Sequence, residues 1–416
     1  MNIMATDDGL TIVLLGVAVG ALIGGMLADI LGRRPIMFIS MALALIFQIL
    51  MVTVKTCLTF ATLRTLCGVF SGGFLVISIV LPLEVVGRRW RDFCVCLWIW
   101  ALGLPIISFE AAIVNGWRNI ALTNGLVGLP FLGLYFLVPE SSRWLTSLQH
   151  FQKAENSIKE MISCNTRAVP NVLELCDDTR IYVMSISHPR RHTYLDLFHT
   201  VTVTKSTSAV LYTWFVGCFV YCNLLHKVES LTGDHHFDIF LPFVLDMPIC
   251  MSAVIINKCI GRRWCMFLYA VSSGFSMFCV LILHMMGDLH KYPYMMTALA
   301  AFSKMGVATA LSLLTLITVE AYPTVIRCMA VAFGLSAGIL GSLLSFHLRN
   351  FISFDSYYYI VPYILQGLLI STIGVVGLVF PETATTPMPD VLQCRHRKNQ
   401  LQADVTSQYV YLRDQS

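Results

Sequence analysis

The chain has 416 residues, 56% of them hydrophobic and 12% charged, with a formal net charge of +4 and a mean hydropathy of +0.73. Soluble domains carry about a quarter charged residues, so this composition excludes an ordinary soluble protein and predicts one embedded in a lipid bilayer. The net charge is small and no basic stripe is interleaved with aromatic residues, so we expect no nucleic-acid partner.

Long apolar stretches follow one another along the chain. A membrane-spanning helix needs about 20 largely apolar residues, and eleven stretches meet this length: roughly 10–29, 36–54, 59–82, 93–114, 118–138, 207–226, 238–257, 265–286, 293–318, 328–348 and 357–380. The pattern predicts an all-α membrane protein. Its expected parts are an N-terminal bundle of five helices (1–138), a cytosolic linker (139–206), a C-terminal bundle of six helices (207–382) and a cytosolic tail (383–416).

Basic residues lie at alternate ends of these spans, which indicates topology because cytosolic loops are enriched in Lys and Arg. The richer side holds Arg33, Arg34, Arg88, Arg89, Arg91, Lys258, Arg262, Arg263 and Arg327. The other side holds Lys55, Arg118, Lys227, Lys291 and Arg349. We therefore predict a multi-pass protein, in the plasma membrane, with a cytosolic C-terminus and a non-cytosolic N-terminus. No cleavable signal peptide is evident.

Three short signatures occur twice. Gly32-Arg33-Arg34 recurs as Gly261-Arg262-Arg263, Glu84 to Arg91 recurs as Glu320 to Arg327, and Pro139-Glu140-Ser141 recurs as Pro381-Glu382-Thr383. Each copy lies where an apolar run meets polar sequence. Such a duplication is typical of transporters built from two related bundles. Two equal repeats require an even number of spans, so we expect one helix to be missing before residue 10.

Cysteine and histidine patterns argue against a metal or redox site. Most of the fourteen cysteines lie inside apolar runs and none form a Cys-x-x-Cys pair, so we expect packing roles. His235 and His236 neighbour Asp234 and Asp238; a metal site and solvated loop residues are both compatible with this group, and the second interpretation is favoured. We predict no metal and no cofactor. The absence of a phosphate loop or nucleophile motif also argues against an enzyme.

The motifs resemble those of a known family. The segment Gly24 to Pro35 is similar to the loop between helices 2 and 3 of the major facilitator superfamily. Pro139 to Leu145, Glu320 to Arg327 and Pro381 to Thr383 resemble the organic ion transporters of solute carrier family 22. Sugar porters share part of this pattern, but their paired glutamines in helix 7 are absent. The resemblance implies the major facilitator fold, a small organic ion as substrate and no cofactor.

The chain also departs from the family pattern. The first helix and the large outer loop after it are missing, and Lys258 replaces the aspartate of the second loop motif. In helix 11, where anion transporters have an arginine and cation transporters an aspartate, Ile339 stands. The charge of the substrate is therefore left open by this position.

Charged residues at the predicted cytosolic helix ends are candidates for a gate. Asp29 is expected to pair with Arg91 or with another facing arginine when the gate is shut, because exclusion of water strengthens such pairs. A Lys258–Glu320 pair is a second hypothesis, and topology anchoring by basic loops is the alternative. The full set of gating and motif candidates is Asp29, Gly32, Arg33, Arg34, Glu84, Arg91, Glu140, Arg143, Lys258, Arg262, Arg263, Glu320, Arg327 and Glu382.

Asp246 lies near the middle of a predicted span and is the main substrate-site candidate. A carboxylate at this depth is costly unless it is paired or faces water, so Asp246 is either the counter-ion of an organic cation or the partner of Lys304. The remaining candidates are Trp214, Phe215, Tyr221 and Ile339. These aromatic residues either line a cavity by cation–π contact or serve packing and interface belts.

The sequence thus predicts a transporter of small organic ions that works by alternating access, with cations slightly favoured over anions. The alternative is a transport-inactive receptor, scaffold or truncated isoform that retains the fold. Expected partners are the ion and the lipid bilayer; the oligomeric state does not follow from the sequence.

Overall fold

A computed structural model of the chain describes residues 7–96, 103–114, 116–164, 192–228, 235–285, 293–352, 361–384 and 388–389. Every regular element in these residues is helical, which confirms the predicted all-α class. The described part of the first half contains α1 (Asp7–Leu31), α2 (Arg33–Val52), α3 (Cys57–Val85), α4 (Arg88–Phe93), α5 (Gly103–Ile113) and α6 (Trp117–Gly128), which continues as a 3₁₀ helix, Leu129–Phe136.

The segment between the halves and the second half follow. Two short helices, α7 (Ser142–Ser147) and α8 (Phe151–Cys164), and a 3₁₀ helix, Tyr194–Phe198, precede the second half. The second half contains α9 (Val201–Val228), α10 (His235–Ile260), α11 (Arg262–Met285), α12 (Pro293–Ala321), a 3₁₀ turn at Thr324–Ile326, α13 (Arg327–Ile352) and α14 (Val361–Gly377).

Nine helices of the described residues are long and apolar enough to cross a membrane. They correspond to nine of the eleven predicted stretches. The stretch 93–114 includes residues outside the described part, and the stretch 357–380 is represented by α14, which has 17 residues. Helix α9 begins at Val201, before the apolar run at 207, because Thr204 and Thr207 donate their hydroxyls to Phe198 and Leu197 carbonyls and so continue the helix into polar sequence.

The helices pack as two related groups. Within the first half, α1 lies against α3, α3 against α2, and α2 against α6; within the second, α9 lies against α13, and α11 against α14 and α12. Between the halves, α1 packs along α13 and α10 packs along α5. The two loop-motif helices, α1 and α10, therefore both lie on the boundary between the halves.

Glycines allow α1 and α3 to approach closely. A Cβ at Gly20 would overlap the Val69 carbonyl, and one at Gly72 would overlap the Val17 carbonyl. A Cβ at Gly16 would lie 2.8 Å from the Thr65 carbonyl oxygen. On a neighbouring face, Gly25 meets Ala332 and Cys328 of α13. Gly16 and Gly20, at a spacing of four on α1, therefore allow close packing against α3 within the first half, while Gly25 lies at the boundary.

We expect Gly20→Ala to lower the melting temperature of the purified protein, because overpacking of this kind costs about 1–3 kcal/mol and outweighs the better helix propensity of alanine. Thermal unfolding in detergent measures the effect. The control is Gly133→Ala, where a new Cβ meets no atom within 4 Å. Equal melting temperatures for the two variants would contradict the role of Gly20.

Candidate functional site: two charge clusters and a buried ion pair

The two Gly-Arg-Arg motifs form the same turn. Gly32 has φ of 118° and Gly261 has φ of 92°, values that favour glycine. A Cβ at Gly32 would also lie 2.9 Å from a carboxylate oxygen of Glu140, and a Cβ at Gly261 would lie 2.8 Å from one of Glu382. Each glycine therefore permits both the turn and the close approach of a remote glutamate.

These glutamates cap the next helix. Glu140 Oε1 accepts hydrogen bonds from the backbone N–H groups of Arg33 (3.1 Å) and Arg34 (3.2 Å). Glu382 accepts from the N–H groups of Arg262 (3.1 Å) and Arg263 (3.3 Å). The first N–H groups of a helix have no partner within it, and its N-terminus attracts negative charge. The repeated Pro-Glu-Ser/Thr signature thus fixes the start of α2 and of α11.

We call Asp29, Arg33, Glu84 and Arg327 the first charge cluster. Arg33 lies 2.9 Å from Asp29 and 3.5 Å from Glu84, both in its own half. Glu84 also lies 2.6 Å from Arg327, which belongs to the second half. All four side chains are buried. Charges removed from water are tolerated when they are paired in this way.

Asp29 completes the first cluster across the boundary. Its carboxylate accepts hydrogen bonds from the backbone N–H groups of Cys328 (3.4 Å) and Met329 (3.0 Å) at the start of α13. Arg33 donates to the Thr324 carbonyl, 2.6 Å away, in the second half. The predicted pairing of Asp29 with Arg91 is therefore wrong. Asp29 pairs instead with Arg33 of its own loop.

We call Arg91, Asp92, Arg262 and Glu320 the second charge cluster. Glu320 pairs with Arg262 of its own half and, at 3.3 Å, with Arg91 of the first half. Arg262 also lies 3.2 Å from Asp92 across the boundary. The hypothesis of a Lys258–Glu320 pair is wrong in this structure, because the Glu320 carboxylate pairs with Arg91 and Arg262 instead.

Burial alters the acid–base properties of the second cluster. Burial lowers the pKa of Arg91 to about 10, with nearby Arg143, Arg327 and Arg88 acting in the same direction. Burial also raises the pKa of Asp92, which Arg262, Lys258 and Arg91 oppose. Arg91 therefore keeps its charge at neutral pH.

The other motif arginines lie outside the two clusters. Arg34 donates to the Tyr135 carbonyl at 2.9 Å and lies over the Tyr135 ring, with 4.3 Å to its centroid. Arg263 lies over the Trp264 ring at 5.7 Å. These contacts are made within one half and fit an anchoring role. Arg143 is half-buried and near Arg91.

A third group of charges lies within the second half. Lys304 Nζ is 2.6 Å from Asp246 Oδ2 and donates to the Pro242 carbonyl at 2.7 Å. Tyr221 donates its hydroxyl to the same carboxylate oxygen at 3.3 Å. The rings of Tyr221 and Phe243 each lie 5.1 Å from the ammonium. The structure thus forms the Asp246–Lys304 pair that the sequence offered as one alternative.

One oxygen of Asp246 has no hydrogen-bond partner among the described residues. Oδ1 is buried, whereas Oδ2 accepts from both Lys304 and Tyr221. A carboxylate oxygen can accept further hydrogen bonds. The lysine, in contrast, is completely buried between a carboxylate, a carbonyl and two rings.

The remaining substrate-site candidates have other surroundings. Trp214 packs against α13, where a Cβ at Gly334 would lie 2.8 Å from its ring, and the Phe215 carbonyl lies against Gly341. Ile339 is half-buried on α13. The side chains of His235 and His236 lie outside the described residues, so the metal alternative there is untested.

The sequence interpretation missed Asp92. Repeat alignment was the available signal, since Arg91 and Arg327 are equivalent and their next residues are Asp92 and Cys328. It also missed Tyr194, whose hydroxyl donates to the Leu22 carbonyl at 2.5 Å while its ring lies near Phe333 of α13. Tyr194 lies in the linker, where no apolar pattern marks it.

Known proteins match this chain over most of its length. The model of the sugar (and other) transporter family matches residues 9–391. Organic cation/carnitine transporter 2 of Homo sapiens is 30% identical over 413 residues, which cover 95% of this chain and 72% of that protein. Solute carrier family 22 member 4 of Mus musculus is 26% identical over 400 residues, covering 94% of this chain and 70% of that protein.

A solved structure shows the fold. A proton:xylose symporter bound to 6-bromo-6-deoxy-D-glucose has a TM-score of 0.73 and 17% identity, covering 92% of this chain and 87% of that one. Together with the family match and the apolar spans, this establishes a multi-pass membrane protein of the major facilitator fold. The chain belongs to the sugar (and other) transporter family and, within the major facilitator superfamily, to solute carrier family 22, whose members are transporters and not enzymes.

Proposed function

We propose that this protein carries small organic ions across the plasma membrane by alternating access, with cations slightly favoured over anions. The two bundles, residues 1–138 and 207–382, would rock about the substrate, and residues 139–206 would link them in the cytosol. In this topology the arginine-rich end, the C-terminus and both charge clusters are cytosolic, and the N-terminus is not.

The observation that carries the proposal is the pairing of buried charges across the boundary between the halves. Glu84 with Arg327, Glu320 with Arg91, and Asp92 with Arg262 each join one half to the other. Separation of the halves at this end would break all three contacts and admit water. Contacts present in one state and absent in the other bias a two-state equilibrium, so these pairs support a cytosolic gate.

The Asp246–Lys304 pair supports the substrate preference. Asp246 Oδ1 has no hydrogen-bond partner among the described residues, so it can accept a donor from a cationic substrate. The rings of Tyr221 and Phe243, which already flank an ammonium group, suit an organic cation by the same cation–π attraction. Lys304 is engaged by several groups, which disfavours it as a receptor for anions. The relatives named as cation and carnitine transporters agree with this preference.

We expect Glu84→Gln to reduce uptake at least about tenfold at equal surface expression. The change leaves Arg33 and Arg327 buried without their shared counter-charge, and removal of one partner of a buried pair typically costs about 3–5 kcal/mol. Uptake of labelled ions into cells measures the effect.

The control is Glu155→Gln, since Glu155 pairs with the exposed Lys159 one turn along the same helix and pairs near the surface contribute little. Unchanged uptake in Glu84→Gln would contradict the gate. Flat uptake of every cation and anion by the unmodified protein would remove the transporter proposal itself.

We expect Asp246→Asn to reduce uptake of organic cations about tenfold or more and to leave any anion uptake less affected, because asparagine keeps the shape but not the charge. The double variant Asp246→Asn with Lys304→Gln removes both charges and is the matched control. If the pair serves only structure, the double variant should recover cation uptake. Continued loss in the double variant supports Asp246 as the counter-ion.

A further inference from the structure

Each charge cluster draws on one of two sets of equivalent repeat positions, and the two sets differ in charge. Asp29, Arg33, Glu84 and Arg327 correspond in the repeat to Lys258, Arg262, Glu320 and Arg91. The first set contains two positive and two negative charges. The second set contains three positive charges and one negative charge, because a lysine replaces the aspartate. Lys258 is exposed, whereas Arg91, Arg262 and Glu320 are buried, so the buried charges of this set have an excess of one positive charge. An unbalanced buried charge is costly and would favour separation of the halves, which admits water.

Asp92 supplies a second negative charge to the second charge cluster. Its side chain is buried, with 6% of the residue exposed, and its Oδ1 lies 3.2 Å from the guanidinium of Arg262 across the boundary. Lys258 and Arg91 are both close enough to stabilise its ionised form. With Asp92 included, the buried charges of the second cluster balance, with two positive and two negative.

The repeat position of Asp92 differs from that of Asp29, the corresponding acid of the first cluster. In the first repeat, the carboxylate of Asp29 faces Cys328, an uncharged residue at the start of α13. In the second repeat, the residue equivalent to Asp29 is Lys258, and the residue equivalent to Cys328 is Asp92. The acid of the second cluster thus lies across the boundary from Lys258, at the repeat position that the uncharged Cys328 has in the first cluster.

We propose that Asp92 is a positioning residue of the cytosolic gate, which holds the second cluster closed in place of the carboxylate absent at position 258. The proposal rests on the proposed alternating access. It adds a residue that sets the balance between the closed and open states of this end. Asp92 need not contact the transported ion.

Amide hydrogen exchange of the full purified chain tests the proposal without any transport measurement. The reporters are the backbone N–H groups of Cys328 and Met329, which are bound to Asp29 in the first cluster and are remote in sequence from α4. We expect Asp92→Asn to accelerate their exchange about 5- to 150-fold, the usual range of coupling between two sites. A local packing defect would change exchange near α4 and leave these two groups unaffected.

A rescue separates charge from packing. Asp92→Asn with Lys258→Asp places the acid where the first repeat has it and balances the second set, so exchange should return toward that of the unmodified protein. Asp92→Glu keeps the charge and should remain close to the unmodified protein. Glu155→Gln, in a pair with the exposed Lys159 away from both clusters, should have no effect.

The proposal is overturned if Asp92→Asn leaves the exchange of Cys328 and Met329 unchanged, or if the Lys258→Asp rescue gives exchange as fast as the single variant. If Asp92→Asn does not fold, recovery of a folded protein by the added Lys258→Asp change supports the proposal and failure to recover contradicts it. Uptake assays test the proposed transport separately. If the Lys258→Asp change restores slow amide exchange but neither the unmodified protein nor any variant takes up ions, the role of Asp92 at this boundary is supported and the proposed transport is rejected.

Discussion

Two buried glutamates, Glu84 and Glu320, hold the arginine-rich end of this protein together. Each carboxylate pairs with one arginine from its own half and one from the other half. Buried ions in such a place are stable only while their partners remain or until water reaches them, because an unpaired charge away from water is costly. In the proposed cycle the boundary between the halves would have two arrangements, one closed and dry, the other open and hydrated.

The helix ends around these glutamates are fixed by a second layer of contacts. Glu140 and Glu382 cap the helices that begin with the motif arginines, and the glycines before those helices leave room for the capping carboxylates. The hydrogen bonds from the backbone N–H groups of Arg33 and Arg262 to these glutamates thus fix the helix ends from which the two guanidinium groups extend. This explains why three short signatures, distant in sequence, recur together. In each half they supply the turn, the paired charges and the helix cap of one charge cluster.

The Asp246–Lys304 pair follows the same physical rule at a different depth. A buried lysine is neutralised by an aspartate and surrounded by aromatic rings, but one aspartate oxygen lacks a hydrogen-bond partner among the described residues. In the charge clusters at the helix ends, Glu84 and Glu320 each contact two arginines. The mid-span carboxylate instead has a single cation beside it, which suits the proposed role as a counter-ion for a cationic ligand.

The sequence by itself determined the all-α class, nine of the spans, the family and all residues of the two charge clusters except Asp92, because apolar length and repeated motifs are local properties of the chain. It also pointed to the Asp246–Lys304 pair, since two opposite charges at similar depth in lipid must find each other. Only the tertiary structure decided which charges meet. Asp29 pairs with Arg33 instead of Arg91, Glu320 with two arginines instead of Lys258, and Asp92 with Arg262. Such choices depend on how two helical bundles face each other across their boundary, and no pattern within one segment records that distance.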